Sequence, residues 1–317
     1  MNIVVLDGYG LNPGDLTWDS IKTLGHLTVY DRTSDQEIIR RAANADIILT
    51  NKTILTAGTL QSLPKLKYIG ILSTGYNVID IEAAKSKGIV VCNIPTYSTE
   101  SVAQMTFAHL LNITNQVDHY ARENRNGRWN ASMDFCYWDS PIMELYGKKF
   151  GIIGMGHIGT AVARIARAFG MEVLTVTARK ADTLPEGVKK VSLEELLQKC
   201  DVVSLHCPLT TESRQIINWE RLTQMKSTAI LINTGRGHLV NENDLAEALN
   251  QGIIAAYGAD VLCVEPALPN NPLLTAKNAF LTPHIAWAST EARKRLLEIC
   301  TDNIKAFLNG TPQNIVE

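Results

Sequence analysis

Ten consecutive residues, Phe150-Gly151-Ile152-Ile153-Gly154-Met155-Gly156-His157-Ile158-Gly159, leave this chain few ways to fold. Phe150, Ile152 and Ile153 are apolar in the manner of a short strand buried on both faces. Gly154, Gly156 and Gly159 follow at G-x-G-x-x-G spacing, and the alanine-rich stretch 160–169 reads as a helix that Gly170 ends. Each glycine has a physical task. Gly154 permits the tight turn. Gly156 carries no side chain, so a pyrophosphate can approach the backbone. Gly159 lets helix and strand pack closely, and the helix N-terminus points free N–H groups at the anion. The same spacing alone would also suit an ordinary glycine-rich turn. Here strand, turn and helix come in the required order, and residues 171–176 read as the next strand, so the stretch implies a dinucleotide site.

The chain has 317 residues, enough for two domains rather than one. Strands are expected at 3–6, 27–30, 46–50, 67–72 and 89–92, with helices at 34–43, 57–63 and 81–87 between them. Such alternation argues a parallel sheet with helices on both faces, so the first hundred residues form a small α/β domain of their own. An apolar-faced helix follows at 99–113. Residues 118–146 then lack any alternation and carry Arg122, Arg125, Arg128, Trp129, Phe135, Tyr137, Trp138 and Pro141. Arginine and aromatic side chains favour interfaces, which points to a dimer arm; packing against its own domain is the alternative. Further strands are expected at 201–206, 229–233, 255–261 and 279–282. The last helix, 290–308, comes after the cofactor sheet is complete and is expected to return to the first domain. The expected division is therefore 1–98 with 290–317, and 99–289.

The net charge of −2 gives no electrostatic footprint for nucleic acid or an anionic membrane. No apolar run is long enough to span a bilayer, and the N-terminus reads as a first strand rather than a signal peptide. The six cysteines are scattered without a C-x-x-C pair, as expected of reduced thiols in a cytoplasmic protein. No cluster has metal-ligand spacing.

Ligands of open α/β sheets sit at the carboxyl ends of the strands, and several reactive side chains lie just past a strand. Arg236, within Asn233-Thr234-Gly235-Arg236-Gly237, has a planar fork suited to a carboxylate and a charge that can polarise a ketone. His284, in Pro283-His284-Ile285-Ala286, is a candidate general acid. His206 also ends a strand and competes for that role. Glu265 could steady a protonated His284 or be a solvated loop acid. Thr74 and Gly75 follow the fourth strand, where backbone N–H groups can hold a substrate carboxylate.

These motifs, in this order, resemble those of the D-isomer-specific 2-hydroxyacid dehydrogenases over nearly the whole chain. The resemblance rests on Gly154 to Gly159, on Asn233 to Gly237, on Asp260-Val261 with Glu265-Pro266, and on Pro283 to Ala286. It implies that Arg236 binds and polarises a 2-keto acid, that His284 donates the proton, that Glu265 orients His284, and that Asp260 holds the nicotinamide carboxamide. It implies cofactor contacts at Gly154, Gly156, His157, Ile158, Gly159, Thr177, Arg179, Cys207, Pro208, Thr234, Gly235, Asp260 and Ala286. The segments Leu6 to Tyr9, Thr74 to Asn77, Tyr97 to Gln104, Phe135 to Trp138 and His284 to Trp287 resemble the members that interconvert hydroxypyruvate and D-glycerate. The implied fold class is α/β: a Rossmann-type dinucleotide-binding domain plus a smaller flavodoxin-like α/β substrate domain, discontinuous in sequence. The expected function is reversible hydride transfer between NAD or NADP and a small 2-keto acid held between the domains, in a homodimer. A dinucleotide-sensing binding protein, like the corepressors of this fold, is the alternative from another class, and a relative acting on formate or phosphonate is a third reading.

The second strand of an NAD-binding unit usually ends in an acid that bonds the adenosine ribose. Here Thr177 stands at that point, 18 residues after Gly159, followed by Ala178-Arg179-Lys180. A neutral threonine removes repulsion of a 2′-phosphate and Arg179 can pair with it, which puts NADPH ahead of NADH; a solvated loop is the other reading of Arg179 and Lys180.

Overall fold

The computed structural model describes residues 1–316, in two compact units. The first comprises Met1–Ser98 and the chain from Trp287 onward; the second is Thr99–Ala286.

The first unit contains β1 (Asn2–Val5), β2 (His26–Val29), β3 (Ile47–Thr50), β4 (Tyr68–Ile71) and β5 (Val90–Cys92). All pair in parallel in the order β2-β1-β3-β4-β5, the flavodoxin-like order. Side chains alternate between the faces. Ile3, Val5, Leu49 and Tyr68 point into a core completed by Leu296, Cys300 and Ile304 of the helix Thr290–Leu308. Val4, Leu6, Ile48 and Ile69 fill the opposite core. The C-terminal helix thus belongs to the first unit, and the division falls at Ala286–Trp287.

The second unit contains β6 (Lys149–Ile153), β7 (Glu172–Val176), β8 (Val188–Lys190), β9 (Val202–Leu205), β10 (Ile230–Asn233), β11 (Ala256–Ala259) and β12 (Ala279–Leu281). The parallel order is β12-β11-β10-β9-β6-β7-β8, with the sheet running outward both ways from β6 as in a Rossmann fold. The helices Thr99–Asn115 and His157–Ala168 cover one face, where Phe107 stacks on Phe150 at 5.7 Å between ring centroids. The helices Leu193–Lys199 and Glu242–Gln251 cover the other.

The elements absent from the sequence expectation are the one-turn helices Asp19–Lys22 and Trp219–Leu222, too short for a periodic pattern, a longer helix and an edge strand. Residues 117–125 form a helix, Val117–Arg125. It buries none of its residues and has an Asp118–Arg122 ion pair at 3.1 Å one turn apart. It is polar in composition and buries no face, so the run of apolar residues that marks a core-facing helix is absent. β8, at the sheet edge, has only Val188 partly buried, too little for an alternating pattern. The rest of the 118–146 segment folds on itself. Asp139 pairs with Arg128 and lies 2.6 Å from His119 Nε2, and Tyr137 donates to Asn124 at 2.6 Å. Trp129, Phe135 and Trp138 still face solvent, at 52%, 89% and 65% exposure. Among the described residues no helix is long and apolar enough to cross a membrane.

Candidate active site

The glycine turn is built as its spacing requires. Gly154 has φ +101°, and a Cβ there would stand 2.4 Å from the backbone nitrogen of Cys207, at the end of neighbouring β9. A Cβ on Gly159 would stand 2.1 Å from the Gly154 carbonyl oxygen, so only glycine lets helix and turn meet. Gly156 is the N-cap of His157–Ala168; no side chain caps the helix, and a Cβ there would meet nothing within 4 Å. The first intrahelical bond is that of Thr160 N–H to Gly156. The amides of His157, Ile158 and Gly159 therefore face outward as unfilled donors. A cleft of about 490 Å³ opens there, lined by Gly156, His157, Thr160, Arg164 and Arg179 among others. Free amides, a helix dipole and an arginine fit a dinucleotide pyrophosphate and its neighbouring ribose.

Thr177 and Arg179 sit beside this cleft. Thr177 Oγ1 accepts the Arg179 N–H at 3.2 Å, and the Arg179 guanidinium donates to the carbonyls of Met155 (3.3 Å) and Thr183. These neutral acceptors anchor the fork without cancelling its charge. No acidic side chain pairs with Arg179 among the described residues. Cys207 is half-buried, and burial raises its thiol pKa; Pro208 beside it is exposed.

The second group of side chains collects at the carboxyl ends of β10, β11 and β12. The Asn233 side chain folds the loop after β10 by accepting from Gly235 N–H (3.0 Å) and donating to the Arg236 carbonyl (2.9 Å). Arg236 is thereby held exposed on extended backbone. Gly237 lies against the loop after β11, where a Cβ would stand 2.0 Å from the Leu262 carbonyl carbon. Glu265 is placed in that loop by Leu262 N–H, which donates to its Oε1 at 3.0 Å. Its Oε2 lies 2.6 Å from His284 Nδ1, and both side chains are about one-third exposed. His284 adopts φ +53°, a left-handed conformation costing a non-glycine residue about 1–3 kcal/mol unless its surroundings enforce it.

Asp260 enforces it. Its carbonyl accepts His284 N–H at 2.8 Å. Its carboxylate accepts Thr282 Oγ1–H (2.6 Å) and Ile285 N–H (2.8 Å) on one oxygen and Ala286 N–H (2.7 Å) on the other. Asp260 is 1% exposed, and its carboxylate organises the histidine loop. Thr234 and Ala286 are also buried: Thr234 Oγ1 lies 3.1 Å from that of Thr106, and the Ala286 carbonyl accepts from Ser101 at 2.6 Å.

His206, the competing histidine, has a different setting. Its Nε2 lies 2.8 Å from Ser204 Oγ, and burial pushes its pKa down to about 3. Burial thus favours its neutral form, and among the described residues no carboxylate pairs with it as Glu265 does with His284. In the first unit, Thr74 and Gly75 follow β4. Their carbonyls accept from Asn93 (2.8 Å) and Ser73 (2.6 Å), whereas their N–H groups take no acceptor among the described residues.

Residues 107–286 match the profile of the D-isomer specific 2-hydroxyacid dehydrogenase, NAD binding domain. The chain belongs to the D-isomer-specific 2-hydroxyacid dehydrogenases. Among relatives of this dehydrogenase, a hydroxypyruvate reductase of Blautia hydrogenotrophica is 49% identical, over 100% of this chain and 99% of that protein. A glycerate dehydrogenase of Methylorubrum extorquens is 42% identical over 91% of each. The solved acyclic imino acid reductase Bsp5, in complex with NADPH and D-Arg, superimposes with a TM-score of 0.85 at 32% identity, covering 100% of both chains.

Proposed function

We propose that this dehydrogenase interconverts hydroxypyruvate and D-glycerate, with His284 as the proton donor in reduction. The 2.6 Å contact between His284 Nδ1 and Glu265 carries the reading. A carboxylate on Nδ1 fixes the tautomer and stabilises the imidazolium, leaving Nε2–H to donate to an oxygen that develops negative charge. When bound, the nicotinamide supplies or accepts the hydride. The chain's own residues do the rest. Arg236 pairs with the substrate carboxylate and polarises the ketone. In the oxidative direction His284 starts neutral and takes the hydroxyl proton, with Glu265 stabilising the charge it gains. The hydroxypyruvate reductase and glycerate dehydrogenase relatives, matched over most or all of their length, support the substrate.

NADPH is proposed as the better cofactor, because Arg179 offers an uncompensated charge beside Thr177 where an acid would repel a 2′-phosphate. The exposed Trp129, Phe135 and Trp138, on a segment pinned by its own polar contacts, support a homodimer arm. All six cysteines are free, in keeping with a reducing compartment such as the cytoplasm.

The test is initial rates with hydroxypyruvate and with glyoxylate, each with NADH and NADPH. Fastest turnover of hydroxypyruvate with NADPH is expected. Tight dinucleotide binding without hydroxypyruvate turnover would overturn the substrate assignment.

A further inference from the structure

The helix Thr99–Asn115 has a role that its apolar character hides. Three of its polar side chains reach the segments bearing the reactive groups. Ser101 donates to the Ala286 carbonyl at 2.6 Å, Thr106 lies 3.1 Å from Thr234 Oγ1 two residues before Arg236, and His109 Nε2 lies 3.1 Å from Thr282 Oγ1 two residues before His284. Thr106 and His109 are 0% and 4% exposed, and a buried polar group must be matched to a partner. The helix also sits hard on the sheet, since a Cβ on Gly258 of β11 would stand 2.9 Å from that of His109.

The direction of the chain of bonds can be assigned. Asp260 can only accept, so the single hydroxyl proton of Thr282 goes to its Oδ1, at 2.6 Å. Thr282 Oγ1 must then accept from His109, which fixes the proton on Nε2. Burial favours the neutral imidazole, against the pull of the Asp260 charge. One donor sequence therefore runs from His109 through Thr282 to Asp260, whose carbonyl and carboxylate bond the backbone of His284, Ile285 and Ala286.

We infer that His109 and Thr282 are positioning residues for His284, acting through Asp260 to hold the left-handed backbone that aims its imidazole. Without the Thr282 hydroxyl, Asp260 keeps the backbone donors Ile285 and Ala286 but loses its one side-chain donor, the tie between its carboxylate and β12, and the backbone it holds can relax from φ +53°. The imidazole then leaves its line with Glu265. Loss of alignment lowers kcat rather than dinucleotide affinity, because the glycine turn is built by other residues. The inference rests on the reading of His284 as the proton donor.

The test compares Thr282→Val, nearly isosteric and without the hydroxyl, with Thr282→Ser, and His109→Leu with His109→Gln, which keeps an N–H donor. Thr282→Val and His109→Leu are expected to lower kcat for hydroxypyruvate about tenfold, misalignment being that costly to proton transfer. Dinucleotide Kd should stay near wild type, and the serine and glutamine variants should recover most of the rate. Wild-type kcat in Thr282→Val overturns the inference. So does an equal loss in Thr282→Ser, or loss of dinucleotide affinity in step with kcat, since either marks a purely structural role. If His109→Leu fails to fold, Thr282→Val with Thr282→Ser decides. His284→Asn is run alongside. Turnover surviving it removes the proton-donor reading and the relay with it, whereas its loss beside an unimpaired Thr282→Val removes the relay alone.

Discussion

Two glycines three residues apart separate what the cofactor needs from what the fold needs. Gly156 has open space where a Cβ would go and an ordinary φ of −80°. Gly156→Ala therefore meets no protein atom, and its cost to stability is the poorer N-cap, about 1 kcal/mol at most. For a unit of this size that is a fall in Tm of about 2–4 °C. A dinucleotide whose pyrophosphate rests on this backbone would meet the new methyl directly. Overpacking of that kind costs about 1–3 kcal/mol, or roughly 5- to 150-fold in Kd. Gly159→Ala differs, because its Cβ would lie 2.1 Å from the Gly154 carbonyl oxygen. An ordinary carbon–oxygen contact is about 3.3 Å, so helix and turn must part by roughly an ångström, which lowers Tm and affinity together. The assay is thermal unfolding of both variants beside calorimetric titration with NADH and NADPH. Wild-type dinucleotide affinity in Gly156→Ala would refute the placement of the pyrophosphate, as would a Tm loss in that variant equal to that of Gly159→Ala.

Replacing Thr177 by Asp should restore the ribose-binding acid and repel a 2′-phosphate, moving the NADH to NADPH ratio of kcat/KM toward NADH by about tenfold; an unchanged ratio would remove Thr177 from cofactor selection. His206 has a folded pKa of about 3 against 6.5 in the unfolded chain, so between those values the unfolded chain binds more protons. Its stabilising contribution is complete above about pH 6.5 and falls as the pH drops toward 3. His206→Gln should therefore flatten the decline of Tm from pH 7 to pH 4.5, and parallel declines would show that another group governs it. Phe135→Glu, at a position 89% exposed, should shift the protein to a lower mass by light scattering with its Tm little changed; an unaltered mass would place the dimer contact elsewhere.

The strands were legible because both sheets are covered on both faces, so β3, β4, β9 and β10 are buried along their whole length and mostly apolar. The glycine turn was legible because its three positions are steric requirements. Arg236, Glu265 and His284 could be singled out by their places after strands, but the link between Glu265 and His284 spans 19 residues and needed the fold. Asp260 was legible as a polar residue at a strand end, while its hold on the His284 loop was not. Thr106 and His109 left a faint signal: two polar residues at i,i+3 spacing on an otherwise apolar helix face, which had to be hydrogen-bonded once buried. Their partners, Thr234 and Thr282, lie 128 and 173 residues away, beyond the reach of local pattern. The helix Val117–Arg125 was missed because it packs no apolar face.

The core of the first unit is assembled from two segments that the second unit separates, and synthesis runs in only one direction. Ile3, Val5, Leu49 and Tyr68 leave the ribosome before that unit, whereas Leu296, Cys300 and Ile304, which cover them, follow it. Between them lies the whole of Thr99–Ala286, which at cellular rates of elongation takes roughly 10–40 s to make. Throughout that interval the nascent N-terminal sheet presents a greasy, unclosed face. The inserted unit, complete before the last helix emerges, is the part of this protein able to fold during translation, and the N-terminal part must wait for its lid, exposed to chaperones and to neighbouring nascent chains.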